Sequence, residues 1–559
     1  MHRIFKIQDM VDQILSWLPP STLIATALVN HMWFYSSLPN IWRLVTLSEA
    51  LTPLQLCTCR KECSVSHQVM FQTSNLVSYR ENQCEPPTPQ KWARFFVYSQ
   101  YVRIILGNEN DFLHIRKVTQ FRHKTVEYLF PNLCSLRWDS HFFGESLPDF
   151  TLLISPSLEN VGLRLFNLTL PFFRPFCETL ANRVQSLRLL QICIDEPSWD
   201  TRKCIKSFNK VLESASSTLI HVQLPESFIT EETVQALGRI QNLYDLTIGT
   251  ATFELMFDEG WVCRGSGDEN NDGNFGSLVY LLLSGSQRAS YHDFLNKPSF
   301  SSLAAIEWRE CTELRDVVLI ATTISNACPR LEILTLGESE RSATEEHLPP
   351  IVPWETLRVL LRCSLLTELS LHCCRVSMTS DDLVELLTSR LYFTQTPWKT
   401  LHIYTVEPLS IPDLLLFAKY CPYLNRLGVH FDGRFINDNA LDEIRAQTRK
   451  PYIPPPEFLM QYGVSEAQLE HEGPNKLASV LSIDFAFSPL NPDLVHELVE
   501  CLFEICGVVP SIHGWDPEWE VVSSYLWLKH QNPRRITFVT RDESSETNVN
   551  LADYNVTHI

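Results

Sequence analysis

From about residue 131 onward, one six-residue pattern keeps returning, apolar at its first, fourth and sixth positions, and it limits the possible folds more than any other feature of the sequence. The copies begin Leu133, Leu136, Trp138; Leu158, Val161, Leu163; Val184, Leu187, Leu189; and Leu219, Val222, Leu224. They continue with Leu243, Leu246, Ile248; Leu278, Leu281, Leu283; Leu303, Ile306, Trp308; and Leu331, Leu334, Leu336. The series ends with Leu366, Leu369, Leu371; Trp398, Leu401, Ile403; Leu424, Leu427, Val429; and a weaker Ala478, Leu481, Ile483. Side chains on a strand alternate with period two, so the fourth and sixth positions share a face and each copy supplies a short strand with an inward apolar side. Copies lie roughly 24 to 35 residues apart, except across the longer last gap, which contains the Pro-rich stretch Pro451 to Pro456, and this leaves room for a crossover helix such as Asp316 to Cys328 or Pro412 to Cys421. A strand and a helix per repeat, stacked in parallel, predict an α/β solenoid: a curved parallel sheet with outer helices.

The pattern resembles leucine-rich repeats, irregular in length. The Cys-Pro-x-Leu junctions at Cys328 and Cys421 resemble those of F-box leucine-rich-repeat proteins. Cys311 and Cys374 stand where the family's ladder asparagine is usual. Composition narrows the function classes. With Lys+Arg 46 against Asp+Glu 65 and a formal net charge of -19, a general nucleic-acid binder is disfavoured, because phosphate binding needs clustered cations. Anionic membrane surfaces are disfavoured on the same ground. The amino terminus, broken by Lys6, Gln8, Asp9 and Asp12, does not read as a signal peptide, and the apolar runs, such as Leu278 to Leu283, are strand length. An intracellular protein, cytoplasmic or nuclear, is expected, with its 17 cysteines as reduced, mostly buried side chains.

Residues Ile7 to Trp42 have a different period. Ile7, Met10, Val11, Ile14, Leu15 and Leu18 share a helical face, Pro19 and Pro20 end that helix, and Ser21 or Thr22 is expected to cap a second one through Leu23, Ile24, Leu28, Val29, Met32 and Trp33. A bundle this short rarely buries enough surface to stand alone. Its Ile14-Leu15 pair, Leu18-Pro19-Pro20 stop, Leu23, Leu28-Val29-Asn30 run, Trp33 and closing Pro39-Asn40-Ile41-Trp42 resemble an F-box. The usual Leu-Pro opening is replaced by Lys6-Ile7. The resemblance implies a substrate-recognition subunit of an SCF-type cullin-RING E3 ubiquitin ligase, itself non-catalytic and without cofactor, whose helices dock a Skp-type adaptor and through it the cullin and RING subunits. On that reading Ile7, Met10, Ile14, Leu15, Pro19, Leu23, Val29 and Trp33 are the adaptor-contact candidates, several of them shared with the bundle's own core. The alternative is a repeat scaffold that binds a partner without ligase recruitment.

The expected organisation is a helical module over 1–45, a connecting region and amino-terminal cap over 46–130, the solenoid over 131–485, a Trp-rich carboxy-terminal cap over 486–540 that resembles the ending of fungal F-box proteins, and a polar tail over 541–559. Within 46–130, Phe95 to Leu106 is expected to form a first strand or helix.

Patterns that carry chemistry are weak. Asp268, Asn270, Asp272 and Gly273 open like a calcium loop, but Val279 stands where the bidentate Glu belongs. Cys57, Cys59, Cys63, His67 and Cys84 lack zinc-site spacing. In His496-Glu497-Leu498-Val499-Glu500, Glu500 replaces a second His, and neither a phosphate-binding loop nor a nucleophile elbow occurs. No metal site and no catalytic residue is expected.

Positions five and seven of each repeat point away from the core, onto the concave side. Early repeats place there Arg137, Asp139, Gly162, Arg164 and Arg188, and later ones Ser370 and His372, His402 and Tyr404, Gly428 and His430. Neighbouring strands lie about 4.8 Å apart, so His372, His402, Tyr404 and His430 are expected to stack into an aromatic and imidazole patch for an acidic or aromatic degron of an unknown target.

Overall fold

The computed structural model describes residues 10–29, 31–55, 86–108, 111–121, 126–140, 150–165, 170–194, 201–249, 275–284, 300–309, 314–337, 349–393, 397–421, 423–431, 482–485, 495–506 and 510–513, with a few short stretches besides. The calcium-like loop and the Cys57–Cys84 cluster lie outside these residues, as do Ile7 and the tail. The chain divides into two compact units, Met1–Leu278 and Val279–Ile559.

The first unit opens with helical residues 10–16 and the helices Pro20–Ala27 and His31–Ile41. Pro19 is itself the extended residue before the second helix and Pro20 its first residue, with no side-chain cap, so Ser21 and Thr22 lie inside the helix rather than at its cap. Proline suits a first helical position because its missing N–H would have no intrahelical partner there. Seven strands follow: β1 (Leu44–Thr46), β2 (Ile104–Asn108), β3 (Ser135–Ser140), β4 (Asn160–Leu165), β5 (Leu189–Ile194), β6 (His221–Leu224) and β7 (Asp245–Gly249). Each pairs in parallel with the next. The segment Phe95 to Leu106 contains both elements considered for it, the end of helix Pro89–Ser99 and most of β2. Pairing therefore begins upstream of the hexad pattern.

The second unit holds β8 (Tyr280–Ser284), β9 (Ala305–Trp308), β10 (Ile333–Leu336), β11 (Ile351–Pro353), β12 (Glu368–Ser377), β13 (Thr400–Thr405), β14 (Arg426–Val429), β15 (Ser482–Asp484) and β16 (Ser511–His513). All are parallel, in the order β8, β9, β10, β12, β13, β14, β15, β16, and β11 adds to the end of β12. The crossovers carry helices Leu314–Ala327, Ser380–Phe393, Ile411–Tyr420 and Val495–Ile505. In each unit this is an α/β repeat array of the leucine-rich type.

Burial follows the hexad. Leu136 and Trp138, Val161 and Leu163, Leu246 and Ile248, Leu401 and Ile403 all lie in the core, each contributing about 1.5–3 kcal/mol by leaving water. Trp138 packs edge-on to Phe150 at 4.7 Å and fills the space that a side chain on Gly107 of β2 would occupy. Two copies are shifted from their expected register. β4 pairs Val161 with Leu190, so the strand positions are Leu190 and Ile192 rather than Leu187 and Leu189. At the end of the array Leu427 pairs with Ile483, which makes Ile483 a fourth position and buried Phe485 the sixth. The hexad Val184–Leu189 is apolar at the same spacing, and only pairing with the neighbouring strand selects between such frames. Among the described residues no helix is long and apolar enough to cross a membrane.

Candidate functional site

Two sites come from the residues. The first is the helical module. Val11, Leu15 and Leu23 form its core, with Leu18, Trp33 and Ile41 packed against it. Leu15 and Leu23 thus hold the bundle together and are among the candidates shared with its core, and Trp33 is half-buried beside them. Met10, Ile14, Pro19 and Val29 are exposed. Around them stand apolar side chains that were not singled out as contacts: Trp17 and Leu28, each 83% exposed, with Ile24, Met32 and Tyr35. Of Leu23, Ile24, Leu28 and Val29 the small core takes only the first: Ile24 is turned about 100° round the helix from it, and Leu28 and Val29 stand at and beyond the end of helix Pro20–Ala27. The consequence is an exposed apolar surface on a module whose own core is minimal.

The second site is the strand face of β12 to β15. The expected equal register of His372 and Tyr404 fails, because β12 bulges between Leu371 and Arg375: Leu371 pairs with Ile403 and Arg375 with Tyr404. His372, Cys373 and Cys374 make up the insertion, seated on Gly337, whose φ of +90° places its missing side chain 2.7 Å from the Cys373 nitrogen. A bulge re-aims side chains, and here it carries His372 to both neighbours. The His372 and His402 ring centroids lie 5.1 Å apart and those of His372 and Tyr404 5.9 Å apart. His372 Nε2 is 3.4 Å from His402 Nδ1, and His372 Nδ1 is 3.4 Å from the Tyr404 hydroxyl. Ser370 Oγ is 3.3 Å from His402 Nδ1.

Tyr404 is 3% exposed, not a solvent-facing residue. Its hydroxyl donates to Asp484 Oδ2 at 3.0 Å, crossing the whole of β14. Gly428 on β14 leaves this lane open. A Cβ there would lie 2.6 Å from His402 Cδ2, so the imidazole occupies the space over the glycine. His430 stands apart from the trio, its Nδ1 3.0 Å from the Thr405 carbonyl oxygen. The structure therefore brings together three of the four predicted residues and adds Ser370, Gly428 and Asp484. Asp484 falls on the outward face in the expected frame (position seven) as in the observed one (position five), and only the pairing of Gly428 with Asp484 brings it level with the patch.

Burial pushes His372 down to about 4. His402 goes down to about 3, by burial first and then by the neighbouring His372 and Arg426. The Tyr404 phenol is raised well above its usual value by burial and by the Asp484 carboxylate. At neutral pH the rings are uncharged, and the cluster is a neutral hydrogen-bonded relay ending on one carboxylate. The first unit has a smaller polar trio on its strands, with His221 Nδ1 2.8 Å from Asp245 Oδ2 and the Gln191 amide 3.3 Å from His221 Nε2. A cavity of about 600 Å³ lies between residues 355–362 and helix Ser380–Phe393, but its Glu385 is already taken by Arg358 and the Trp354 indole.

No protein-family model matches the chain, and no curated protein matches it. Among solved structures it is similar to an internalin of Listeria monocytogenes, with 12% identity and a TM-score of 0.31 over 69% of this chain and 82% of that one. It is also similar to the Rad7 and Elc1 complex of yeast, with 12% identity and a TM-score of 0.24 over 62% of this chain and 73% of that one.

Proposed function

We propose that the chain is the substrate-recognition subunit of an SCF-type cullin-RING ubiquitin ligase, its helical module docking a Skp-type adaptor and the strand face of its repeats holding a protein target. The observation that carries this reading is the exposure of Met10, Ile14, Trp17, Ile24, Leu28 and Val29 on a bundle whose described core cluster is Val11, Leu15 and Leu23. Six exposed apolar side chains on so short a module support an interaction role, since leaving each in water forgoes about 1.5–3 kcal/mol. On this reading the chain performs no bond chemistry. It contributes proximity, holding a target Lys at high effective concentration near the ubiquitin thioester. Cullin and RING subunits join through the adaptor, and neither nucleic acid nor membrane takes part.

The test is co-expression with a Skp-type adaptor and co-purification, beside an Ile14→Asp and Val29→Asp double variant. Both side chains are exposed, so the variant keeps the module's core. Co-purification that the variant loses supports the reading. A wild-type chain that emerges alone and folded supports instead a repeat scaffold without ligase recruitment, the reading favoured by Lys6-Ile7 in place of a Leu-Pro opening.

A further inference from the structure

We infer that the strand face of β12 to β14 is built to accept a hydrogen-bond donor, an Arg or Lys side chain of the target, and not a carboxylate or phosphate. The inference rests on the reading of this face as the target-binding surface, and it comes from the direction in which the relay runs.

A carboxylate only accepts, so the single proton of the Tyr404 hydroxyl goes to Asp484 Oδ2. The Tyr404 oxygen is then the acceptor for His372 Nδ1, which must carry the proton of that ring. In a neutral imidazole one nitrogen donates and the other accepts, so His372 Nε2 bears a lone pair and the facing His402 Nδ1 carries a proton. Ser370 Oγ, on the same side of His402 Nδ1, shares that proton. By elimination His402 Nε2 is unprotonated. Both rings are neutral at pH 7, with burial holding them near 4 and 3. The same elimination applies to His430: a backbone carbonyl only accepts, so Nδ1 donates to Thr405 and the ring's acceptor position is Nε2.

Two half-buried imidazoles, His402 on β13 and His430 just past the end of β14, thus present acceptor nitrogens. The charge around them agrees. Asp484 and Glu368, which accepts from Thr400 at 3.3 Å, lie on the same strand face, opposed there by Arg426, in a chain of formal net charge -19. A carboxylate brought to these lone pairs would find acceptors facing acceptors, and groups left unpaired on binding weaken it. A guanidinium or ammonium brings donors to these two acceptor nitrogens. On this inference the patch takes a basic side chain in place of the acidic or aromatic degron expected for it.

The test uses the full chain labelled with ¹⁵N-histidine at pH 7, its ring signals assigned through His372→Gln, His402→Gln and His430→Gln variants. The expected spectrum shows His372 and His402 as neutral rings protonated on Nδ1. Tyr404→Phe keeps the packed ring and removes the anchor, so it should turn the His372 and His402 signals into tautomer mixtures and leave His430 unchanged. Millimolar N-acetyl-arginine methylamide should shift the Nε2 signals of His402 and His430, while N-acetyl-glutamate methylamide should not. A proton on His402 Nε2, a doubly protonated ring at pH 7, a response to the glutamate probe alone or a response to neither overturns the inference. Adaptor co-purification is read separately, so failure of the ligase reading leaves these nitrogen assignments standing.

Discussion

Replacing Gly428 by Ala tests whether the glycine is there to make room for the His402 ring. The added Cβ would stand 2.6 Å from Cδ2 and 2.9 Å from Cγ of His402, against about 3.5–4.0 Å for relaxed carbon contacts. The ring must retreat by roughly 1 Å, and its Nδ1 side is already occupied by His372 and Ser370. Overpacking of this kind costs about 1–3 kcal/mol, and a broken relay bond adds about 1 kcal/mol. Two compact units do not guarantee one two-state transition, so the assay is native-state hydrogen exchange at the paired amides of β13 and β14. The decisive comparison is a double-mutant cycle with His402→Ala. Once the ring is gone, Gly428→Ala should cost less than about 0.5 kcal/mol, giving a coupling of roughly 1.5–4 kcal/mol. An equal penalty in both backgrounds would refute the argument that the glycine exists to seat this imidazole.

In the helical module, Leu15→Ala should destabilise by about 2–5 kcal/mol and Met10→Ala by less than about 0.5 kcal/mol, because the first is fully buried and the second exposed; limited proteolysis of the module would contradict this if the order were reversed. Gly107→Ala should cost the first unit about 3 kcal/mol in denaturant unfolding, since its Cβ would enter the ring of fully buried Trp138; a loss below about 1 kcal/mol would show that the indole moves freely. The folded pKa values of His372 and His402 lie below the unfolded value of 6.5, so the unfolded chain takes up protons that the folded one refuses. Their contribution to stability is complete above pH 6.5 and falls as the pH drops toward 4 and then 3. Hydrogen-exchange protection in the second unit should therefore fall further between pH 7 and 5 in the wild type than in a His372→Gln, His402→Gln double variant, and equal losses would count against neutral buried rings.

Local chemistry determined much of this protein by itself. The hexad of apolar positions specifies parallel strands because side chains alternate with period two, and Leu136, Trp138, Leu401 and Ile403 are buried where that pattern places them. The helices Leu314–Ala327 and Ile411–Tyr420 follow from their own apolar period to within a few residues. Register was legible only where the pattern is unambiguous. At Leu190 and at Ile483 two frames fit the residues equally well, and pairing with β4 and β14 chose between them. The patch was legible as residue types, since His372, His402 and Tyr404 do meet, but not as geometry. A bulge in β12, a glycine on β14 and an aspartate on β15 are distant in sequence, and their union depends on strand stacking that no local period encodes. The same division holds in the helical module. The sequence placed apolar residues on both helices, while the choice of Leu15 and Leu23 for the core, leaving Trp17 and Leu28 in water, was made by packing three short helices around a space that holds only a few side chains.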